Sequence, residues 1–348
     1  METKPTANST PKAGTTPEKT DNKFYYDDIT DTIGNIPLVR LRAMAEKRGV
    51  KAKILVKPEF LNPTGSVKDR MAVYILKKAV ATGELKPGGT IVEATSGNTG
   101  AAVAMFAAAN GFKAILTIPD KMSKEKVDVL KAFGAEVHIC PTAVPPEDPT
   151  SYYETGKRLA RETDNSYWVG QYFNQSNIEA HYTLTGPEIW RQTGGRIDCF
   201  LAGIGTGGTM SGAAKYLKEQ NPKIETVAVD PEGSVYYHYH KDGTMIEPHT
   251  YLVEGIGDDL LCPSIDLSVI DKVFQVNDEE CFEYSRELTR TEGILGGGSS
   301  GAAVKIALDY ARDKDEDYVM VVILPDSGMK YISKMFNDDW MREKGFLK

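Results

Sequence analysis

Between Phe24 and Lys348 the chain alternates short apolar runs with longer stretches whose apolar positions recur at helical spacing. Asn62-Pro63-Thr64-Gly65-Ser66-Val67-Lys68-Asp69-Arg70 marks one such change of pattern. Its breaker-rich loop gives way to Ala72, Ile75 and Ala79 beside Val73, Leu76 and Val80, an apolar face that stops near Gly83. Ser66 reads as the N-cap, which puts Lys68 in the first helical turn. Strands are predicted at 90–94, 113–118 and 136–140, separated by an Ala-rich helix over 100–110 and a helix over 123–133. After the proline-rich loop 141–150 come helices at 152–162 and 186–192. The alternation then resumes with strand 199–202, helix 210–219 and strand 226–230. Helices at 279–292 and 302–312, strand 319–324 and a helix at 329–336 complete the pattern. Strand–helix–strand units of this length argue for parallel pairing through right-handed crossovers, hence an α/β protein of two domains.

Residues 1–23 contain almost no apolar side chains, so their burial cannot offset the entropy of ordering them, and disorder is expected. The segment lacks the apolar core of a secretory signal, and its acids and missing arginine speak against a transit peptide. Over all 348 residues the chain is 41% apolar and 26% charged with a net charge of -8, which fits a soluble protein without a nucleic-acid footprint. No apolar run reaches the ~18 residues of a membrane span. Cys140, Cys199, Cys262 and Cys281 are far apart, with no C-x-x-C pair. That spacing suits buried thiols in a reducing cytoplasm, not disulfides or zinc.

Lys68 is a poor neighbour for the partly positive end of a helix. A positive or desolvated environment favours the neutral amine, the form that attacks carbonyls. A solvated lysine beside Asp69 and Arg70 is the plain alternative. Four loops following strands or opening helices bear on the choice, since ligands of open parallel sheets sit at the carboxyl ends of strands. Gly203-Ile204-Gly205-Thr206-Gly207-Gly208-Thr209 can turn backbone N–H groups on an anion at a helix N-terminus. It also satisfies G-x-G-x-x-G, with Asp230 ending the next strand about 20 residues on, so a nicotinamide-dependent dehydrogenase is a rival reading. Thr95 to Thr99 offers hydroxyls and the Asn98 amide, a set suited to a carboxylate. Pro325 to Gly328 and Gly296 to Gly301 read equally as turns. A carbonyl-bearing phosphorylated cofactor unites these features: pyridoxal phosphate needs a lysine, a phosphate cradle and a partner for its pyridine nitrogen.

NPTGSVKDR (62–70), TSGNTG (95–100), GTGGT (205–209) and LPDSG (324–328) resemble the fold-type II pyridoxal-phosphate enzymes of the cysteine synthase and cystathionine β-synthase family. The resemblance runs from about Tyr26 to Lys348. It implies two α/β domains, each a mostly parallel twisted sheet flanked by helices. Residues 24–172 would form mostly the smaller one, with a segment near 40–61 crossing to the larger, and 173–348 the larger, cofactor-binding one. By resemblance Lys68 forms the Schiff base and is the catalytic residue, Asn98 bonds the cofactor's ring oxygen, and Gly205, Thr206, Gly207, Gly208 and Thr209 cradle its phosphate. Ser327 would meet the pyridine nitrogen, and Thr95, Ser96, Thr99 and Gln171 would hold the amino-acid carboxylate.

Stretches at 121–136, 229–234, 253–257, 297–299 and 340–348 resemble the cystathionine β-synthase side of the family, whereas TGPEIW (185–190) leans toward cysteine synthase. The implied reaction is replacement of the L-serine hydroxyl by L-homocysteine to give L-cystathionine, with sulfide release from cysteine as a side activity. O-acetylserine with sulfide is the alternative. Small amino acids are the expected partners, with a homodimer as the family's usual state. Neither a haem-ligating Cys/His segment nor a C-terminal regulatory pair has a counterpart, so no haem and no adenosyl-ligand regulation are expected. His238, His240 and His249 lie among Tyr236, Tyr237 and Tyr239 in an expected surface loop without metal-ligand spacing.

Overall fold

A computed structural model describes residues 25–348. The expected disorder of 1–23 lies outside the described residues. Two sheets carry the chain. The larger has the order β1-β2-β10-β7-β8-β9, and the smaller β5-β4-β3-β6. The ranges are β1 Val39–Arg40, β2 Lys53–Pro58, β3 Thr90–Ala94, β4 Lys113–Pro119 and β5 Glu136–Cys140. They continue with β6 Ser166–Trp168, β7 Cys199–Gly203, β8 Glu225–Pro231, β9 Lys272–Val276 and β10 Val319–Leu324. All neighbours pair in parallel except β1 with β2.

Parallel strands buried on both faces read as continuous apolar runs, and β10 and β7 show why. Met320, Val322 and Leu324 enter one core with Cys199 and Leu201, whereas Val321 and Ile323 enter the opposite core with Phe200 and Ala202. The period of two divides one sheet between two layers of helices. The helices Asp278–Glu292 and Gly298–Tyr310 cover the first face; Gly186–Thr193 and Gly208–Gln220 cover the second. A third core joins the helices Lys68–Thr82 and Asn98–Asn110 to the smaller sheet through Met71, Leu76, Ala102, Leu116 and Ile118.

This division places Lys68. β2 belongs to the larger sheet, yet the helix that follows packs on the smaller one, so 62–67 cross the seam. Val67 N–H donates to Pro325 O at 2.8 Å and Ser327 N–H to Gly65 O at 3.2 Å, which stitches the crossing to the end of β10. The helix ends at Gly83 in the left-handed region (φ 77°), the C-cap its position calls for. Its start departs from expectation. Val67 is the N-cap and has no side-chain cap, while Ser66 Oγ accepts the Lys68 N–H at 3.3 Å from one residue further back.

Two other expectations change. The region expected as a helix over 329–336 is a 3-10 turn, Gly328–Tyr331, followed by a short helix Asp338–Glu343. The tyrosine–histidine segment expected as a surface loop is the helix Tyr236–Asp242. Tyr236 is fully buried there and donates its O–H to Gly205 O at 2.7 Å, bracing the glycine loop from behind.

Candidate active site

Lys68 faces a cleft whose walls include Val67, Gly203, Gly205, Thr206 and Gly207. Its Nζ makes no hydrogen bond with the described residues, and burial lowers its pKa from the ordinary lysine value, opposed by the charge of Asp326 and by Cys262. A half-buried amine without a hydrogen-bond partner is a nucleophile in waiting, and this placement speaks against a fully solvated lysine.

The glycine loop opens the helix Gly208–Gln220, so the first N–H groups of that helix border the cleft. Gly207 has φ +88°, and a Cβ there would lie 2.4 Å from Ile265 Cβ; at Gly208 one would lie 1.9 Å from Asn177 Oδ1. Only glycine fits at either position. Asn177 Nδ2 donates to Thr206 Oγ1 at 3.0 Å, and Ser264 Oγ donates to Thr206 O at 2.6 Å. Thr209 Oγ1 lies 3.2 Å from His181 Nε2. His181 is kept neutral by burial and by the charges of Lys68 and Arg70, which push its pKa well below the usual value.

Asp230 does not serve a dinucleotide. It is fully buried at the end of β8, and its Oδ2 accepts the Tyr237 N–H at 2.9 Å. Its other oxygen, Oδ1, is buried without a partner among the described residues.

In the loop after β3, Thr95 Oγ1 accepts the N–H groups of Gly97 and Gly100 at 3.0 and 3.1 Å, which leaves its own proton to donate. Thr99 Oγ1 donates to Gln171 Oε1 at 2.6 Å, and Gln171 Nε2 to Ala94 O at 3.3 Å. Thr95, Thr99 and Gln171, with exposed Ser96, come together on one loop and its support. Asn98 Nδ2 donates to Asp326 Oδ2 at 2.9 Å.

Ser327 stands in the loop after β10, its N–H held by Gly65 O and its hydroxyl proton free to donate. It caps the turn Gly328–Tyr331, its Oγ accepting the Met329 N–H at 3.2 Å. The preceding residue, Asp326, is the one that meets Asn98. A second serine is nearby: Ser299, 1% exposed in the first turn of the helix Gly298–Tyr310, makes no hydrogen bond with the described residues. Its Oγ lies 3.9 Å from the Cβ position of Gly255, which lines the same cleft as Lys68. The Gly296–Gly301 loop contained this signal, obscured because its composition equally suits a turn. Lys330 and His181 carried no pattern that could have revealed them.

Two latches cross the seam. Arg70 and Lys57 share Glu59 and Glu188 within the interior. Lys126, from the helix Lys124–Ala132, bonds Glu254, which also takes Lys334 at 2.7 Å. Among the described residues no group of three or more His, Cys, Asp or Glu is placed to hold a metal ion, and no helix is long and apolar enough to cross a membrane.

The residues present suit pyridoxal phosphate: an unshared, half-buried amine for the aldehyde, a helix N-terminus with hydroxyls for the phosphate, and the Ser327 hydroxyl in the loop stitched to the segment that leads to Lys68. Comparison with known proteins agrees. The chain is 45% identical over 321 residues to cystathionine beta-synthase of Mus musculus, matching 92% of this chain and 57% of that one. It is 37% identical over 326 residues to cysteine synthase 1 of Emericella nidulans, matching 92% and 87%. Among solved structures, one described as O-ureido-L-serine synthase superposes with a TM-score of 0.82 at 33% identity, covering 91% of this chain and 99% of that one. The chain thus spans little more than half the length of the mouse relative. The sequence pattern of the family described as pyridoxal-phosphate dependent enzyme matches residues 29–326, and the chain belongs to that family.

Proposed function

We propose that the protein catalyses β-replacement on a serine-type amino acid, with L-serine and L-homocysteine as substrates and L-cystathionine and water as products. One observation carries the reaction class: a desolvated Lys68 amine shares a cleft with a glycine loop at a helix N-terminus. The choice of substrates rests on the 45% identity to a cystathionine beta-synthase against 37% to a cysteine synthase.

Bound pyridoxal phosphate supplies an aldehyde for the lysine and a conjugated ring that accepts charge from the substrate's α-carbon. Lys68 holds the aldehyde carbon, and its amine, once released, takes the substrate's α-proton, gives a proton to the departing β-hydroxyl so that it leaves as water, and returns the incoming thiol's proton to the α-carbon. A single base suffices because both positions lie within hydrogen-bond reach of one flexible side chain. Thr95 and Ser96 bind the substrate carboxylate, with Thr99 and Gln171 bracing the loop. Gly205 to Thr209 bind the phosphate. Asn98 donates to the ring oxygen, and Ser327, whose own proton is left free by the bond it accepts from Met329 N–H, meets the pyridine nitrogen. A hydroxyl there, unlike a carboxylate, does not hold that nitrogen protonated, which favours prompt loss of a β-substituent over a long-lived carbanion.

Parallel assays test the assignment. Serine with homocysteine should outpace O-acetylserine with sulfide in kcat/KM; the reverse order would reassign the protein as an O-acetylserine sulfhydrylase. The second reading has support in the cysteine synthase similarity, which covers 87% of that relative.

A further inference from the structure

Asn98 begins the helix Asn98–Asn110, and charged partners hold its amide from two sides. Lys330 Nζ donates to Asn98 Oδ1 at 2.5 Å. Asn98 Nδ2 donates to Asp326 Oδ2 at 2.9 Å, and Tyr331 donates its O–H to the same oxygen at 2.7 Å. An ammonium can only donate, and an ionised carboxylate can only accept. A flipped amide would set N–H against ammonium and carbonyl against carboxylate, so a single orientation satisfies both partners. One N–H of Asn98 Nδ2 is then left over.

The setting fixes this arrangement. Asp326 is 1% exposed, and its second oxygen, Oδ1, has no partner. It faces Gly297, where a Cβ would lie 2.2 Å from that oxygen. Lys330 extends from the turn Gly328–Tyr331 past Gly65, its Cε 3.7 Å from the Cβ position of that glycine on the loop leading to Lys68. Burial lowers the Lys330 pKa, and the carboxylates of Asp326 and Asp69 oppose that shift.

We propose that Lys330 and Asp326 are positioning residues that lock the Asn98 amide, so that its remaining N–H is presented to the ring oxygen of the bound cofactor. The inference rests on the reading of Asn98 as the ring-oxygen contact. An ammonium on the amide carbonyl also polarises the amide and strengthens that N–H as a donor. A stronger donor stabilises negative charge on the ring oxygen. The proton shared between that oxygen and Lys68 Nζ therefore stays on the lysine nitrogen.

The visible spectrum of the cofactor-loaded protein reports where this proton lies, because the form protonated on nitrogen absorbs in the visible and the form protonated on oxygen in the near ultraviolet. Lys330→Met should move intensity from the visible to the near-ultraviolet band severalfold, and Lys330→Arg should restore most of it. Asn98→Ala should produce the same shift, and adding Lys330→Met to Asn98→Ala should change nothing more, since Lys330 acts through Asn98. Melting curves of the same preparations establish that each variant is folded. An unshifted spectrum for Asn98→Ala would remove the ring-oxygen reading and the inference with it. A shifted Asn98→Ala with an unshifted Lys330→Met would overturn the inference alone, as would a Lys330 effect that persists without Asn98.

Discussion

Arg70 reaches Glu188 across 118 residues of chain, Nη1 meeting Oε2 at 2.9 Å and Nη2 meeting Oε1 at 3.0 Å. Arg70 lies two residues beyond the reactive lysine, so this pair and the bonds from Arg70 to Glu59 at 2.7 and 2.9 Å anchor the first turn of that helix to the larger sheet's side of the seam. Lys57 joins through Glu188 Oε1 at 2.6 Å. Two acids and two bases balance, and the backbone N–H groups of Asn35 and Ile36 occupy further lone pairs of Glu188. Removing one member leaves buried charge without compensation. Glu188→Ala should cost about 3–5 kcal/mol in urea unfolding, as for other broken buried pairs. A loss below about 1 kcal/mol would show that the network is not what holds this turn.

The same carboxylate gives the protein an acid limit. Burial alone would raise the Glu188 pKa, but hydrogen bonds and charge from Arg70 and Lys57 outweigh it and hold it at about 2, below the ordinary 4.5. The folded value is the lower, so the unfolded chain takes up the proton first. The stabilisation is complete above pH 4.5 and drains as pH falls from there toward 2. The melting temperature of the native protein should therefore exceed that of Glu188→Gln by a margin that is constant near neutrality and shrinks below pH 4.5. A margin that widens in acid would reverse the assignment.

Much of this architecture was legible because parallel strands leave an unambiguous trace. Residues 319–324 are apolar throughout, and the strand occupies that span. The helix at 152–162 likewise appears with its expected bounds. The 3-10 turn after Pro325 was not legible. Its apolar and polar residues mimic a helical repeat, but the chain is held there by contacts to Gly65 and Leu295 from distant segments. At the site, Lys68 and the glycine loop could be read because their chemistry needs particular residues at particular places. Asp326, Lys330 and His181 act through geometry that only the closed fold brings together.

The glycine loop admits no side chain at its turn. Gly207→Ala would bring a Cβ to within 2.4 Å of Ile265 at a backbone φ of +88°, so strain and collision add. The helix N-terminus should then move out of register with the phosphate. Retained cofactor after dialysis, measured by absorbance against protein, should fall at least tenfold while the far-ultraviolet circular dichroism stays near native. Full retention would mean that the phosphate is held elsewhere. Lys68→Ala provides the contrast: the phosphate cradle is intact, so cofactor should still bind, but borohydride should no longer fix it to the chain and turnover should cease.

Two serines compete for the pyridine nitrogen, and substitution separates them. Ser327 Oγ accepts the Met329 N–H and keeps its own proton to donate, so Ser327→Ala should cost the turn a few tenths to 1 kcal/mol of stability and lower kcat about tenfold. Ser299 is buried with its hydroxyl unshared among the described residues, and Ser299→Ala removes one methylene-sized polar group without opening a large cavity. If its hydroxyl bonds the ring nitrogen, kcat should fall about tenfold or more, the scale of one lost hydrogen bond at a reacting group. The visible band should shift with it, because the electron demand of the ring changes at the same atom. A variant that merely loosened the helix Gly298–Tyr310 would instead lose cofactor and melting temperature together, with kcat per bound cofactor unchanged. A kcat loss at Ser299 and none at Ser327 would instead move the ring nitrogen from the loop after β10 to the start of the helix Gly298–Tyr310.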